Sequence, residues 1–486
     1  MEAQTASAQP DHPNAALEAE WTDPKRYLWL FGLVVPMLPF LAFGLAGLTG
    51  LGIAYWFGPF VVFALIPFLD TAIGKDAENP PDSAIKWLEQ DRYYRWCTYL
   101  FLPLQLAGLV FACSLWANGG LSFAENLGLA LTVAMVGGIA INTAHELGHK
   151  RKLYERWLSK VALAQTFYGH FFIEHNRGHH VRVATPEDPA SSRLGESFWE
   201  FLPRTVWGSL SSSIHLEHER LDRLDKPFLT PQNDILNAWA MSVALFAGLI
   251  VIFGLEVAPW LAFQAVVGFS LLEVVNYLEH YGLMRQKRED GRYERCRPEH
   301  SWNSDNVASN VFLYHLQRHS DHHANPVRRF QALRHFENLP ELPSGYATMI
   351  VAAYVPPIWR RVMDPKVLAH YGGDVTLANI LPRKREQILA RYGASDSRRE
   401  ASGSTEAIAA LDPESLKAKR HICPGCEYVY DDVIGAPREG FPAGTPFATI
   451  PDAWCCPDCG VREKVDFEPL ADSAAPAPGA RAGQPA

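Results

Sequence analysis

The sequence predicts an all-α polytopic membrane protein. It is expected to have six transmembrane helices, a helical cap beneath them on the cytoplasmic side, and a small separate C-terminal domain. Three observations predict this. Six stretches are apolar over about the 20 residues that a bilayer-spanning helix needs. Every basic cluster flanking them falls at the same ends. Beyond residue 382 the chain turns small, polar and charged, and cysteines recur in pairs.

The apolar stretches are 27–48, 51–69, 97–117, 124–144, 236–258 and 260–279. They form three hairpins with short turns at Thr49-Gly50, around 118–123 and at Ala258-Pro259, and none of these turns carries Lys or Arg. The opposite ends do. Lys25 and Arg26 precede the first stretch, and Lys75, Lys86, Arg92 and Arg95 separate the second from the third. Lys150, Arg151 and Lys152 follow the fourth, and Arg285, Lys287 and Arg288 follow the sixth. Cytoplasmic loops carry the excess of basic residues, so both termini and all long loops are expected in the cytoplasm. Buried helices of a soluble protein would not give six such runs with one consistent charge bias.

The first segment, 1–26, has no basic start and no short apolar core, so no cleavable signal peptide is expected. The net charge of −9 is mild and no basic tract is interleaved with aromatics, so nucleic acid is not an expected partner. Segments 145–235 and 280–382 are long, aromatic and rich in His, Asp, Asn and Arg, and are expected to form the cap. Residues 383–420 read as a linker, 421–470 as the small domain, and 471–486 as a low-complexity disordered tail.

Histidines concentrate in the predicted cap. "EHNRGHH" contains His175, His179 and His180; "HELGHK" contains His145 and His149; "LQRHSDHH" contains His319, His322 and His323; and "NYLEHYGL" contains His280. Residues four apart share one helix face, so His175 and His179 are expected on one face, with His180 next to it. Nine imidazoles exceed the three protein ligands of a typical catalytic zinc. Four or five nitrogens per ion suit two metal ions, but imidazole binds Zn, Cu, Fe and Ni alike, so the ligands leave the element open.

A ligating histidine usually has its other ring nitrogen held by a carboxylate or carbonyl. Glu146, Glu174, Glu279, Asp188, Asp305 and Asp321 are the candidates for that support. His12, His335, His370 and His421 have no partner at ligand spacing. His170, His215, His218 and His300 read as structural, and His315 stays outside the metal set.

In the C-terminal domain "CPGCEYVYD" and "WCCPDCG" carry two Cys-x-x-Cys pairs, with 29 residues between Cys426 and Cys456. Four thiolates suit zinc or a single iron. With Tyr428, Tyr430, Phe441, Phe447 and Trp454 around them, residues 421–470 resemble rubredoxin. The resemblance implies a small β-rich domain with one iron held by Cys423, Cys426, Cys456 and Cys459, Cys455 being an extra thiol. Nine acidic and three basic side chains in 421–470 leave a net charge of −6. Docking is expected on Lys150, Arg151, Lys152, Arg285, Lys287, Arg288, Arg328 and Arg329. A flexible linker of about 30 residues would span about 30 Å r.m.s. and hold the domain at roughly millimolar effective concentration.

The four histidine boxes together resemble those of the membrane-bound, histidine-rich di-iron alkane 1-monooxygenases, over roughly 27–382. "NYLEHYGL" is the box that separates that family from membrane desaturases. The resemblance implies a multi-pass protein of the inner (plasma) membrane with two irons held by the nine histidines. It implies O2-dependent terminal hydroxylation of medium-chain alkanes, fed by the fused rubredoxin. No nucleotide-binding glycine fingerprint occurs here, so a separate NAD(P)H-dependent rubredoxin reductase is expected.

An alkane offers only CH2 groups to bind, each contributing about 0.8 kcal/mol when buried. In the family a bulky residue of the second span limits chain length, and Trp56 resembles that residue. Phe60, Phe63 and Phe263 are further candidates to line a channel. The rivals are a desaturase or hydroxylase of the same class acting on acyl, aromatic or sterol substrates, and a membrane metal transporter or store. The last would need polar residues along a path through the spans, and few occur.

Overall fold

The computed structural model describes residues 21–393 except 290, and 420–470 except 425–427, 437–438, 440, 452–453, 455 and 458–461. The expected N-terminal segment up to residue 20, the linker over 394–419 and the tail from 471 lie outside the described residues, as do Cys426, Cys455 and Cys459.

Among the described residues, six helices are long and apolar enough to cross a bilayer: Arg26–Thr49, Gly52–Ile73, Arg92–Ala117, Phe123–Gly148, Asp234–Phe253 and Leu255–His280. Local chemistry sets their ends. Ser122 and Glu125 form a reciprocal capping box that starts the fourth span. The fifth span stops at Phe253 because Gly254 takes φ +94°, and a short 3-10 turn then opens the sixth. Residues of the 236–258 stretch beyond Gly254 therefore belong to the next helix.

The fourth span is the axis of the bundle, buried over 89% of its apolar stretch against 22% for the fifth. It packs most closely on the sixth, where a Cβ on Gly138 would lie 2.9 Å from the carbonyl oxygen of Gly268. Small residues at such a crossing let two backbones approach without lipid between them. The outer spans turn Leu48, Ile53, Phe68, Val251 and Val266 outward, the apolar surface that lipid requires.

The fourth and sixth spans run on into the cap, which is helical. Its main elements are Leu153–Ala164, Phe198–Arg223, Val307–Phe312, His319–Ala324, Tyr346–Ala353 and Pro356–His370. Ser197 and Glu200 cap the longest of these. The stretch expected as linker from 383 begins instead with a helix, Arg385–Tyr392. Ile388 is buried, and the Tyr392 hydroxyl donates to Asp364 at 2.9 Å, so these contacts tie it to the cap.

The C-terminal domain is a three-stranded antiparallel sheet in the order β2-β1-β3, with β1 (Arg420–Ile422) between β2 (Val429–Asp431) and β3 (Glu468–Leu470). Arg420 pairs with Asp431 and with Leu470. Tyr430, Phe447, Trp454 and Phe467 make its core, together with the buried Cys423 and Cys456.

Candidate metal centre

The nine histidines of the four boxes converge beneath the fourth and sixth spans. They form two abutting groups. His145, His149, His175, His180 and His322 make one, and His179, His280, His319 and His323 the other; within each, one ligand atom per residue lies within 4.8 Å of every other. The groups touch: the His180 and His323 ring centroids are 4.4 Å apart. All nine are buried except His180, which is half-buried.

The His175 and His179 rings stack with centroids 5.2 Å apart but fall in different groups. Residues Glu174–His179 form a π-helical turn, not an α turn. The wider turn brings residues five apart onto one face. The Nε2 atoms of His175 and His180 therefore lie 3.1 Å apart, and His179 turns into the other group. Helices of ordinary pitch place the rest. His145 and His149 share the end of the fourth span, and His319 and His323 share one face of His319–Ala324 with Nε2 atoms 2.9 Å apart.

Imidazole nitrogens crowd together here in a way that a metal ion would explain. Nε2 to Nε2 separations are 3.1 Å for His149–His175, 3.1 Å for His180–His322 and 3.2 Å for His280–His319. Two nitrogens at right angles about an ion, each bonded at about 2.1 Å, would be about 3 Å apart. Nε2 of His145 and of His179 are buried without a hydrogen-bond partner among the described residues. Burial, then the neighbouring imidazoles, holds His175, His319, His322 and His323 well below the ordinary histidine range. Neutral rings keep the lone pairs a metal needs.

Of the six candidate supports, one hydrogen-bonds a ligand ring and a second lies beside one without a hydrogen bond among the described residues. The Nδ1–H of His179 donates to Asp188 at 2.9 Å. Burial opposes the charge on Asp188, but His179 and Ser191 outweigh it and hold the carboxyl well below the usual range. Glu279 lies 3.3 Å from Nδ1 of His319. The other four bind elsewhere. Glu146 pairs with Lys150 at 3.0 Å. Glu174 pairs with Arg182 at 2.7 Å, and burial pushes its carboxyl up to about 8 despite Arg182. Asp305 takes His335 at 2.8 Å, and Asp321 takes Arg328 at 2.7 Å. Sequence neighbours of a histidine point off its face, so adjacency was a poor guide. One support went unnoticed: His280 Nδ1–H donates to the His300 carbonyl at 3.2 Å. A backbone acceptor 20 residues away leaves no mark in the sequence.

His315 joins neither group; its ring sits against Trp29, centroids 4.6 Å apart. A narrow apolar cavity of about 40 Å³ lies beside the histidines, lined by Val62, Gly138, Ile139, Leu271, Val275 and others. It includes Asn142, three residues before His145, and Leu316, three before His319. Phe60 is 55% exposed and Phe263 36%, on the outside of the bundle, and neither lines this cavity. Trp56 lies against Gly128, whose Cβ would meet its Cδ1 at 2.4 Å, and donates from Nε1 to the Ala124 carbonyl at 3.1 Å. Gly128 precedes His145 by 17 residues, about 25 Å along the helix.

The C-terminal domain contacts the cap through a set of cations that differs from the expected one. Glu463 meets Arg156 at 2.8 Å, Arg220 at 3.3 Å and Arg177 at 3.5 Å. Asp466 meets Arg223 at 2.8 Å and Glu439 meets Arg151 at 2.6 Å. Of the eight expected cations, Arg151 alone is in this set of pairs. Lys150, Arg285, Arg328 and Arg329 are engaged inside the cap, by Glu146, backbone carbonyls, Asp321 and Glu155 respectively. Burial opposes the Glu463 charge, but Arg177, Arg156 and Arg220 together hold its carboxyl below the ordinary range.

Two family models match the chain: fatty acid desaturase over residues 124–379, and rubredoxin over 420–467. The alkane 1-monooxygenase of Acinetobacter baylyi is 50% identical over 394 residues, covering 79% of this chain and 95% of that protein. That of Ectopseudomonas oleovorans is 44% identical over 390 residues, 80% of this chain and 97% of that protein. Rubredoxin 3 of Rhodococcus erythropolis is 77% identical over 48 residues, 10% of this chain and 79% of that protein. The rubredoxin domain implies one iron. With near full-length likeness to the first two, and a rubredoxin domain after the cap, the chain belongs to the alkane 1-monooxygenase family within the fatty acid desaturases.

Proposed function

We propose that this protein hydroxylates the terminal carbon of alkanes with O2, giving primary alcohols, and draws its electrons through its own rubredoxin domain. The observation that carries this is the convergence of nine imidazoles into two abutting groups at the end of the spans, beside a narrow apolar cavity.

The nine histidines would hold two irons, five nitrogens toward one and four toward the other. Cys423, Cys426, Cys456 and Cys459 would hold the third. Bound there, the paired irons supply the reductive activation of O2. The chain's own residues do the rest. Asp188 and the His300 carbonyl orient the rings of His179 and His280 and favour the tautomer whose Nε2 is free for metal. The apolar cavity holds an alkane by its CH2 groups and keeps water away. Its narrowness suits an unbranched chain entering end first, which presents a terminal methyl to the histidines. Trp56, which does not line this cavity, is taken as the residue that limits chain length, from its place against Gly128 in the fourth span.

In this reading the hydroxylase runs from 27 through the cap helix Arg385–Tyr392, followed by a linker, the rubredoxin domain over 421–470 and a tail. Both termini face the cytoplasm, the membrane is the inner (plasma) membrane, and a separate NAD(P)H-dependent reductase recharges the rubredoxin iron. The ion pairs between Glu463 and the cap arginines support docking as the electron-delivery pose.

Metal analysis coupled to turnover on octane tests this. The expected result is three irons per chain and 1-octanol as product by gas chromatography. Octene, or full turnover with iron in the cysteine site alone, would overturn it.

A further inference from the structure

The contact between the two domains has a specific through-bond layout. The backbone N–H of Cys456 donates to the carbonyl of Arg462 at 2.7 Å. The Arg462 side chain then leaves its own domain, and its Nη2 donates to the backbone carbonyl of Arg177 at 2.7 Å. Arg177 lies between His175 and His179, inside the π turn. So one side chain and two hydrogen bonds connect a cysteine of the tetrathiolate set to the turn that presents three of the nine histidines.

The neighbouring residue fixes this arrangement. Glu463 sits among Arg156, Arg177 and Arg220. Its own N–H donates to Asp466 at 3.0 Å, which shapes the turn that aims Arg462. The floor is rigid: the Arg177 guanidinium is buried and also bonded to Glu217 at 2.6 Å and Asp234 at 3.0 Å. Arg462 is itself buried, 7% exposed.

We propose that Arg462 is the bridge for electron transfer from the rubredoxin domain into the histidine groups, and that Glu463 is the lock that holds the bridge in register. This rests on the reading of the rubredoxin domain as donor. With iron bound at both sites, each transfer would move one electron: iron held by the cysteines would be oxidised from ferrous to ferric as iron held by the histidines would be reduced from ferric to ferrous. No covalent bond forms or breaks. Electrons cross hydrogen bonds more readily than van der Waals gaps, and the path through Arg462 crosses the domain contact by hydrogen bonds of 2.7 Å.

The test uses the full-length chain in lipid nanodiscs with its irons loaded and the rubredoxin domain pre-reduced. It is mixed rapidly with O2 and octane, and the visible absorption of the ferric tetrathiolate is followed. Arg462→Ala is expected to slow its return on the order of tenfold or more, as when one anchor of a buried contact is cut. Arg462→Lys, which keeps a donor, is expected to recover part of the rate. Glu463→Gln is expected to slow it without touching Arg462, which keeps the test open if Arg462→Ala does not fold. The reduction potential of the tetrathiolate, read by spectroelectrochemistry on each variant, is expected to stay at the wild-type value. An unchanged rate in both Arg462→Ala and Glu463→Gln overturns the bridge. So does a potential shift that accounts for the whole slowing. If the wild-type absorption itself never returns, the donor reading fails, a result distinct from failure of the bridge alone.

Discussion

His175 and His180 stand five residues apart yet bring their Nε2 atoms within 3.1 Å. The π turn between them is therefore part of the metal centre and not a local irregularity. Gly178 leaves room beside this turn for the Glu174–Arg182 pair, since a Cβ there would lie 2.5 Å from Glu174 Oε1 and 2.6 Å from Arg182 Nη2. Gly178→Ala is expected to force the Glu174–Arg182 pair apart, at about 1–3 kcal/mol for such overpacking. The checks are a lower melting temperature and less iron by metal analysis. A variant with full iron and unchanged melting would show that the turn tolerates the methyl.

Asp188 holds His179 by a bond to Nδ1. Asp188→Asn keeps the shape but cannot favour the same ring polarity, and supporting partners of this kind are worth about 10–100-fold in metal affinity. The expected result is weaker iron binding in the group of His179, His280, His319 and His323, seen by chelator competition. Asp305→Asn is the control. Its carboxylate meets His335 and Arg318, so iron affinity should not move.

Chain-length preference is expected to depend on Trp56. Trp56→Ser removes a ring packed on Gly128 at the far end of the fourth span. Longer alkanes should then react, each newly accommodated CH2 adding about 0.8 kcal/mol, or roughly fourfold in binding. Gas chromatography over a series of alkanes measures this, and an unchanged profile removes Trp56 from the channel. Phe60→Ala and Phe263→Ala should leave the profile alone, because both rings face outward.

The domain contact is expected to depend on pH through Glu463. Its carboxyl is held below the ordinary value of 4.5 when docked. A lowered pKa means the charge stabilises docking above the ordinary range, and that contribution is lost as pH falls through the lowered docked value. Spin-label distances between the domains should therefore be constant near neutrality and lengthen in acid. Glu463→Gln should remove that acid step. Glu439→Gln should matter less, within about 1 kcal/mol, because its partner Arg151 is largely exposed and screened by salt.

Much of this protein could be read from its chain alone. Spans of about 20 apolar residues, their charged flanks, the nine histidines and the paired cysteines are local patterns, and local patterns survive in a linear string. They determined the membrane class, the cap and the residue types available for metal. What tertiary structure decided was non-local. It divided nine histidines into five and four, because a π turn changed which residues share a face. It brought Asp188 and the His300 carbonyl to the rings of His179 and His280, because contacts across 9 and 20 residues depend on how helices cross. Among the described residues it also set Arg156, Arg177, Arg220 and Arg223, which the charge pattern had not singled out, against Glu463 and Asp466. A charge's sign is written in the sequence, but whether it is already neutralised inside the cap depends on what packs beside it.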